Sequence, residues 1–177
     1  KRVSATIGAH AVVNAVGNVS VNATSSESMF NVAAGIGASG KVGLAGSAVV
    51  LTLDTSTLAS IGAQAQVIAD GNVLVTADSD SDLHSIAGAV GIGGNLGFGA
   101  SASVIVKDDL TQAWIGPDAW VTARGNRDAV AFVTGLGADD GASLSQERGL
   151  SVTATSRETL LTVAVGAAGA GSAGIAG

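Results

Sequence analysis

The side chains that could do chemistry are few and unevenly placed. Asp78-Ser79-Asp80-Ser81-Asp82 is the densest acidic run of the chain. Alternate carboxylates on an extended backbone point to one side, so Asp78, Asp80 and Asp82 are the candidate oxygen ligands for Ca²⁺. The Gly turn and closing bidentate Glu of a Ca²⁺ loop are missing, and a solvated corner loop is the plainer account of these residues. Asp139-Asp140 is a second, shorter acidic pair. Trp114 and Trp120 are the only tryptophans, and exposed aromatics of this kind stack on sugars or on partner proteins. Cover by neighbouring chain is the competing account of both.

Catalysis finds little to work with. The only histidines are His10 and His84, and no cysteine is present, which argues against a nucleophile with its base and against a zinc site. Gly91-x-Gly93-Gly94-x-x-Gly97 has the look of a dinucleotide loop but lacks a following helix and a surrounding βαβ unit, and reads as close backbone packing. Two Asn sequons, at Asn18 and Asn22, fall in strand-like sequence and carry no expectation of modification. Neither catalysis nor a resident cofactor is therefore expected, with Ca²⁺ the one ion to consider.

What must position these residues is a chain of 177 residues with a net charge of −6, 26 Gly, one Pro and no Tyr. Eight Lys and Arg spread along the chain form no basic stripe, which excludes a nucleic-acid surface. The high apolar content with little charge predicts a folded chain, whose core is built from Ala, Val, Ile and Leu. Ile86 to Val106 is uncharged and long enough for a membrane helix, but its six glycines oppose one and its aligned copy carries Lys41, so no transmembrane span is expected. No signal peptide pattern follows Lys1-Arg2, and the chain opens and closes in mid-pattern, as a piece of a longer protein would.

The pattern is a tandem repeat. Ile-Gly recurs at residues 7, 61 and 115, a spacing of 54, and Gly-Asn recurs at 17, 71 and 125. The units run about 7–60, 61–114 and 115–177. The third is interrupted after Asn126 and resumes at Leu150, so the segment from Arg127 to Gly149 is inserted at a turn. Beyond the insertion the offset to the second unit is 77, and Val152-Thr153-Ala154-Thr155-Ser156 resembles Val21-Asn22-Ala23-Thr24-Ser25, a super-period of 131.

Inside each unit the side-chain period is two. Ala11, Val13 and Ala15, then Val19, Val21 and Ala23, alternate with the residues between them on either side of the Gly-Asn corner. Short strands joined by Gly corners in tandem predict an all-β chain, a β-solenoid of the β-helix type built from 54-residue units. Coils of roughly 20 residues would put two or three in each unit and give a rod on the order of 40 Å. The Gly88–Ala100 stretch reads either as two more strands about a Gly-Gly-Asn pivot or as a hairpin there.

The pattern Thr-x-Ala-x-Ile-Gly-x-x-Ala-x-Val-x-Ala-x-Gly-Asn-Val-x-Val-x-Ala, followed by a Gly/Ala run such as Val32 to Gly46, resembles the β-strand repeats of very large bacterial exoproteins. These include the filamentous haemagglutinin-like and leukotoxin-like filamentous adhesins. The resemblance covers the chain except its insertion. It implies a right-handed parallel β-helix, secreted or displayed on the bacterial cell surface, with no catalytic motif to carry over.

A structural or adhesive stalk is thus the leading expectation, with the 114–149 region as its place of contact. The expected partners are flanking repeats or further copies joined end to end at open strand edges, and a host or cell-surface protein or glycan. A carbohydrate-binding or carbohydrate-active β-helix is the alternative, although the clustered Asp with Arg or Lys on adjacent coils that such an enzyme needs is not evident. An ice-binding face would need a regular outward Thr ladder, and Thr is scattered.

Overall fold

The computed structural model describes residues 1–136 and 142–177. Among these the chain is all strand and turn, with no helix. The strands are β1 (Arg2–Ile7), β2 (Val12–Ala15), β3 (Val19–Ser39), β4 (Val42–Ile61), β5 (Gln66–Ala69), β6 (Val73–Gly93), β7 (Leu96–Ile115), β8 (Trp120–Ala123), β9 (Val130–Leu136), β10 (Ala142–Glu147), β11 (Leu150–Ala170) and β12 (Ala173–Ala176). They form three stacked sheets in the orders β1-β4-β7-β12, β2-β5-β8 and β11-β6-β3, with β9 and β10 as a separate antiparallel pair.

The repeat and the hydrogen-bond ladder share one spacing. In parallel register Arg2 partners Ser56, Val12 partners Gln66 and Gln66 partners Trp120, each one repeat unit further along the chain. The chain therefore returns to the same ladder once per unit. The expectation of two or three coils in each unit, and of a rod of roughly 40 Å, is corrected: one circuit uses the whole unit. Three circuits at a strand spacing of ~4.8 Å advance only about 10 Å.

The chain divides into two compact parts. The first is Lys1–Ser26, Asp54–Ser81 and Asp109–Glu158, three rungs that each turn two corners. Like residues stack inside it: Ile7, Ile61 and Ile115; Val13, Val67 and Val121; Ala5, Ala59 and Ala113; Val19 and Val73. Their middle members, Ile61, Val67, Ala59 and Val73, are fully buried, while those of the outer rungs are half-buried. Small side chains suffice because each is covered by a copy of itself one rung away.

The first corner is a four-residue turn closed by Ala11 N–H to Gly8 C=O, Ala65 to Gly62 and Ala119 to Gly116. Its third residue has positive φ in every rung, at His10 (60°), Gln64 (58°) and Asp118 (56°), and Pro117 fits the second position of such a turn. His10 thus serves the backbone of a corner.

The second corner is the Gly-Asn step. Asn72, wholly buried, donates from Nδ2 to Asn18 Oδ1 (3.2 Å) and to Asp128 C=O (2.8 Å), and accepts from Gly149 N–H (2.8 Å). The two ends of the insertion are thereby tied to the asparagine ladder, with Gly149, at φ +90°, standing where the next Asn would fall.

The second part is Glu27–Leu53, Asp82–Asp108 and Thr159–Gly177. Here each rung runs out along β3, β6 or β11, pivots, and runs back along β4, β7 or β12. The two arms belong to different sheets, so the Gly94-Asn95 step is a pivot between layers and not a hairpin. Glycine permits the layers to touch. A Cβ on Gly37 would meet the Leu44 carbonyl, one on Gly91 that of Phe98, and one on Gly93 that of Leu96. At these glycines the layers leave no room for side chains between them, whereas farther from the pivot Leu83, Ser85, Ala87 and Ala89 of β6 are buried inside; large apolar residues also stand on the outside. The Ile86–Val106 stretch lies in these arms, and no helix among the described residues is long and apolar enough to cross a membrane.

Candidate functional site

The acidic run lies inside β6, in the middle of a 21-residue strand, which corrects its reading as a corner loop. Odd-numbered residues of β6 face the interior and even-numbered ones face outward, so Asp78, Asp80 and Asp82 do share one side. Their fates differ. Asp78 is 6% exposed, whereas Asp80 and Asp82 are exposed.

Asp78 is already paired. Arg157 on β11 grips it in a two-pronged bond, Nη1 to Oδ1 at 2.7 Å and Nη2 to Oδ2 at 3.0 Å, and Thr155 Oγ1 donates to Oδ1 at 2.7 Å. Arg157 is itself 8% exposed and lies 3.8 Å from Asp80. The hydrogen bonds to Asp78 hold the guanidinium above its ordinary range against the opposing effect of burial, with the charges of Asp78 and Asp80 adding to the rise. Successive outward residues of a strand stand ~7 Å apart, too far for three carboxylates to enclose one ion. Among the described residues no three His, Cys, Asp or Glu side chains group to hold a metal. Asp82 Oδ1 is taken by His84 Nε2 at 3.1 Å, and the His84 ring meets Phe30 edge-on. Asp139 and Asp140 lie outside the described residues.

The insertion builds the one non-repeating feature of this face. The β9–β10 pair brings Val130, Ala131 and Leu144 over Ser20, Asn22 and Thr24 of β3 and Leu74, Thr76 and Asp78 of β6, bordering a half-open cavity of about 160 Å³. Its floor is mostly hydroxyl and amide, with Leu74 and Asp78 among them, and its roof is apolar. The single charge in its lining is neutralised by Arg157. Such a space suits an uncharged polar group and has no evident acid, base or nucleophile poised for reaction.

Trp114 and Trp120 both face outward, as their repeat positions indicate, but line separate hollows. Trp120, 69% exposed, lies over Thr122, to whose hydroxyl its Nε1–H donates at 3.0 Å, beside Gln66, Ile68 and Arg124. Trp114 borders a hollow with Thr111, Gln112, Ala113 and Ala154. The β9–β10 pair lines neither hollow.

Two residues are absent from the candidates that the sequence suggests. Asp109 points inward and accepts from Thr55 (2.6 Å), Ser156 (2.8 Å) and Ser79 (3.5 Å), making a polar layer inside the stack. Its position opposite Thr55, one repeat earlier, marks it in the sequence as an inward-phase carboxylate. Arg157 aligns with Asp80 at the 77-residue offset, and that inversion of sign is the available signal for an ion pair between rungs. Beside this geometry, comparison with known proteins adds no relative: no family model, curated protein or solved structure matches the chain.

Proposed function

We propose that the chain is a β-solenoid segment of a secreted or surface-displayed bacterial filamentous protein, in which it works as structural or adhesive material. The observation that carries this reading is the identity of the repeat spacing with the ladder spacing, since residues one unit apart are hydrogen-bond neighbours. A chain built so can be lengthened unit by unit without new interactions, and its exposed end strands accept further rungs. The right-handed sense and the kinship with filamentous haemagglutinin-like and leukotoxin-like adhesins rest on the repeat motif. Antibodies raised against the chain should label intact bacteria that produce it, or their culture fluid. Label seen only after lysis would overturn the reading.

A carbohydrate-binding role is the second reading, favoured by the exposed Trp120 ring and its polar hollow. On a glycan array the chain should then bind, and Trp120→Ala should lose the signal.

A further inference from the structure

Beneath the β9–β10 pair, outward residues of β6 are buried. Leu74 and Thr76 point away from the core, as Ser20 and Asn22 do one repeat earlier on the neighbouring strand β3, yet Leu74 is 4% exposed and Thr76 8%. Val130, Ala131 and Leu144 stand across the half-open cavity from them. Burial suits Leu74. It does not suit Thr76, whose hydroxyl has no hydrogen-bond partner among the described residues and opens only to the cavity. The Ser20 hydroxyl on the rim is likewise unengaged among the described residues. Asn22 uses its Oδ1, which accepts from Thr24 Oγ1 at 3.4 Å, and keeps its amide N–H groups for another acceptor. The one charge in the lining is Asp78, both of whose oxygens are bound by Arg157.

The geometry points to this cavity as a binding site for one neutral sugar ring. Three observations select that ligand. The first is charge. The Asp78–Arg157 pair is complete in itself, so the lining offers neither a cation nor an anion a counter-charge, and an uncompensated charge is costly to bury. The second is size. About 150 Å³ suffices for a benzene-sized ring, and this cavity holds about 160 Å³. One six-membered ring enters, and its substituents leave through the open side. The third is the array of polar groups. Successive outward residues of a strand stand ~7 Å apart and neighbouring rungs ~4.8 Å, so Ser20, Asn22 and Thr76 share a patch about as wide as one ring. Hydroxyls on such a ring pair with Thr76 and Ser20 and accept from the Asn22 amide, while its C–H groups rest on Leu74, Val130 and Leu144. A purely apolar ring leaves Thr76 unpaired. An extended peptide is the poorer occupant, since β3 and β6 lie side by side and present side chains, not backbone groups, to the cavity. The site shares no residue with the Trp120 hollow and stands independently of it.

The test is saturation-transfer NMR of the whole chain with the methyl glycosides of glucose, galactose and mannose, and with the uronic acid counterpart of each. The expected result is binding of at least one neutral hexoside with a Kd on the order of 1 mM, as a single small ring gives, and at least about tenfold weaker binding of its uronic acid. Thr76→Val keeps the branched shape and removes the hydroxyl. At unchanged β-type circular dichroism it should weaken binding at least about tenfold. Ser20→Phe, at the exposed rim, should block the cavity, and asks the same question if Thr76→Val disturbs the fold. Trp120→Ala should leave the affinity unchanged. Absence of binding by every neutral hexoside overturns the inference, as does equal affinity for the uronic acids. Binding that survives Thr76→Val and Ser20→Phe but is lost with Trp120→Ala would move the sugar to the Trp120 hollow and overturn it too. Displacement of the hexoside by an unglycosylated Ser- and Thr-rich peptide at lower concentration would assign the cavity to protein instead.

Discussion

Arg157 and Asp78 show how one residue's worth depends on its partner. Both are more than nine-tenths buried, and their charges are tolerable only together. Arg157→Ala should destabilise the chain by about 3–5 kcal/mol in urea unfolding, because a buried carboxylate is left with Thr155 alone. Replacing both, as Asp78→Ala with Arg157→Met, should recover most of that loss. The pH dependence follows from the direction of the arginine shift. A guanidinium held above its unfolded value contributes stability that is complete below that value and fades only as pH climbs through the folded one. This contribution should therefore be flat from neutral into moderately alkaline solution.

At the scale of strands and corners, the stack makes the same residue matter differently in different rungs. Ile61 is covered from both sides and Ile7 and Ile115 from one. Ile61→Ala should cost about 2–5 kcal/mol and the other two about half as much each, measured by denaturant midpoints at constant slope. Equal costs would mean that the rungs are not stacked in this order. The touching layers make a complementary prediction. Gly91→Ala puts a methyl into the Phe98 carbonyl and should cost at least about 1–3 kcal/mol, whereas Gly88→Ala, with open space around it, should be nearly neutral.

These elements are unevenly legible in the sequence. The strands flanking the Gly-Asn corner and the insertion after Asn126 follow from alternation and alignment, since each signal is local or repeated. Asp78 to Asp82 reads as a corner because Ser and Asp favour turns, although their strict alternation also suits a strand with a polar outer side. The shared left-handed corner is hidden behind three different residues, His10, Gln64 and Asp118, since backbone shape there is imposed by stacking and not by a glycine.

For the molecule as a whole, the repeat period is plain in the sequence, but its meaning is not. A repeat shows which residues are equivalent without showing which are hydrogen-bonded, and several short coils or one long circuit fit the same period. Tertiary pairing decides, and it makes each unit one turn of a stack with open border strands. On that rests the proposed filament role.

The most direct test uses the absence of native cysteine. Val12, Gln66 and Trp120 are outward residues at one position of successive rungs. Neighbouring rungs set Cα atoms ~4.8 Å apart, within reach of a disulfide, and alternate rungs ~10 Å apart, beyond it. Cysteine pairs at 12 and 66, and at 66 and 120, should cross-link within the monomer on mild oxidation, while a pair at 12 and 120 should remain reduced. Failure of the first two pairs, or ready closure of the third, would contradict a stack that advances by one rung with each repeat unit.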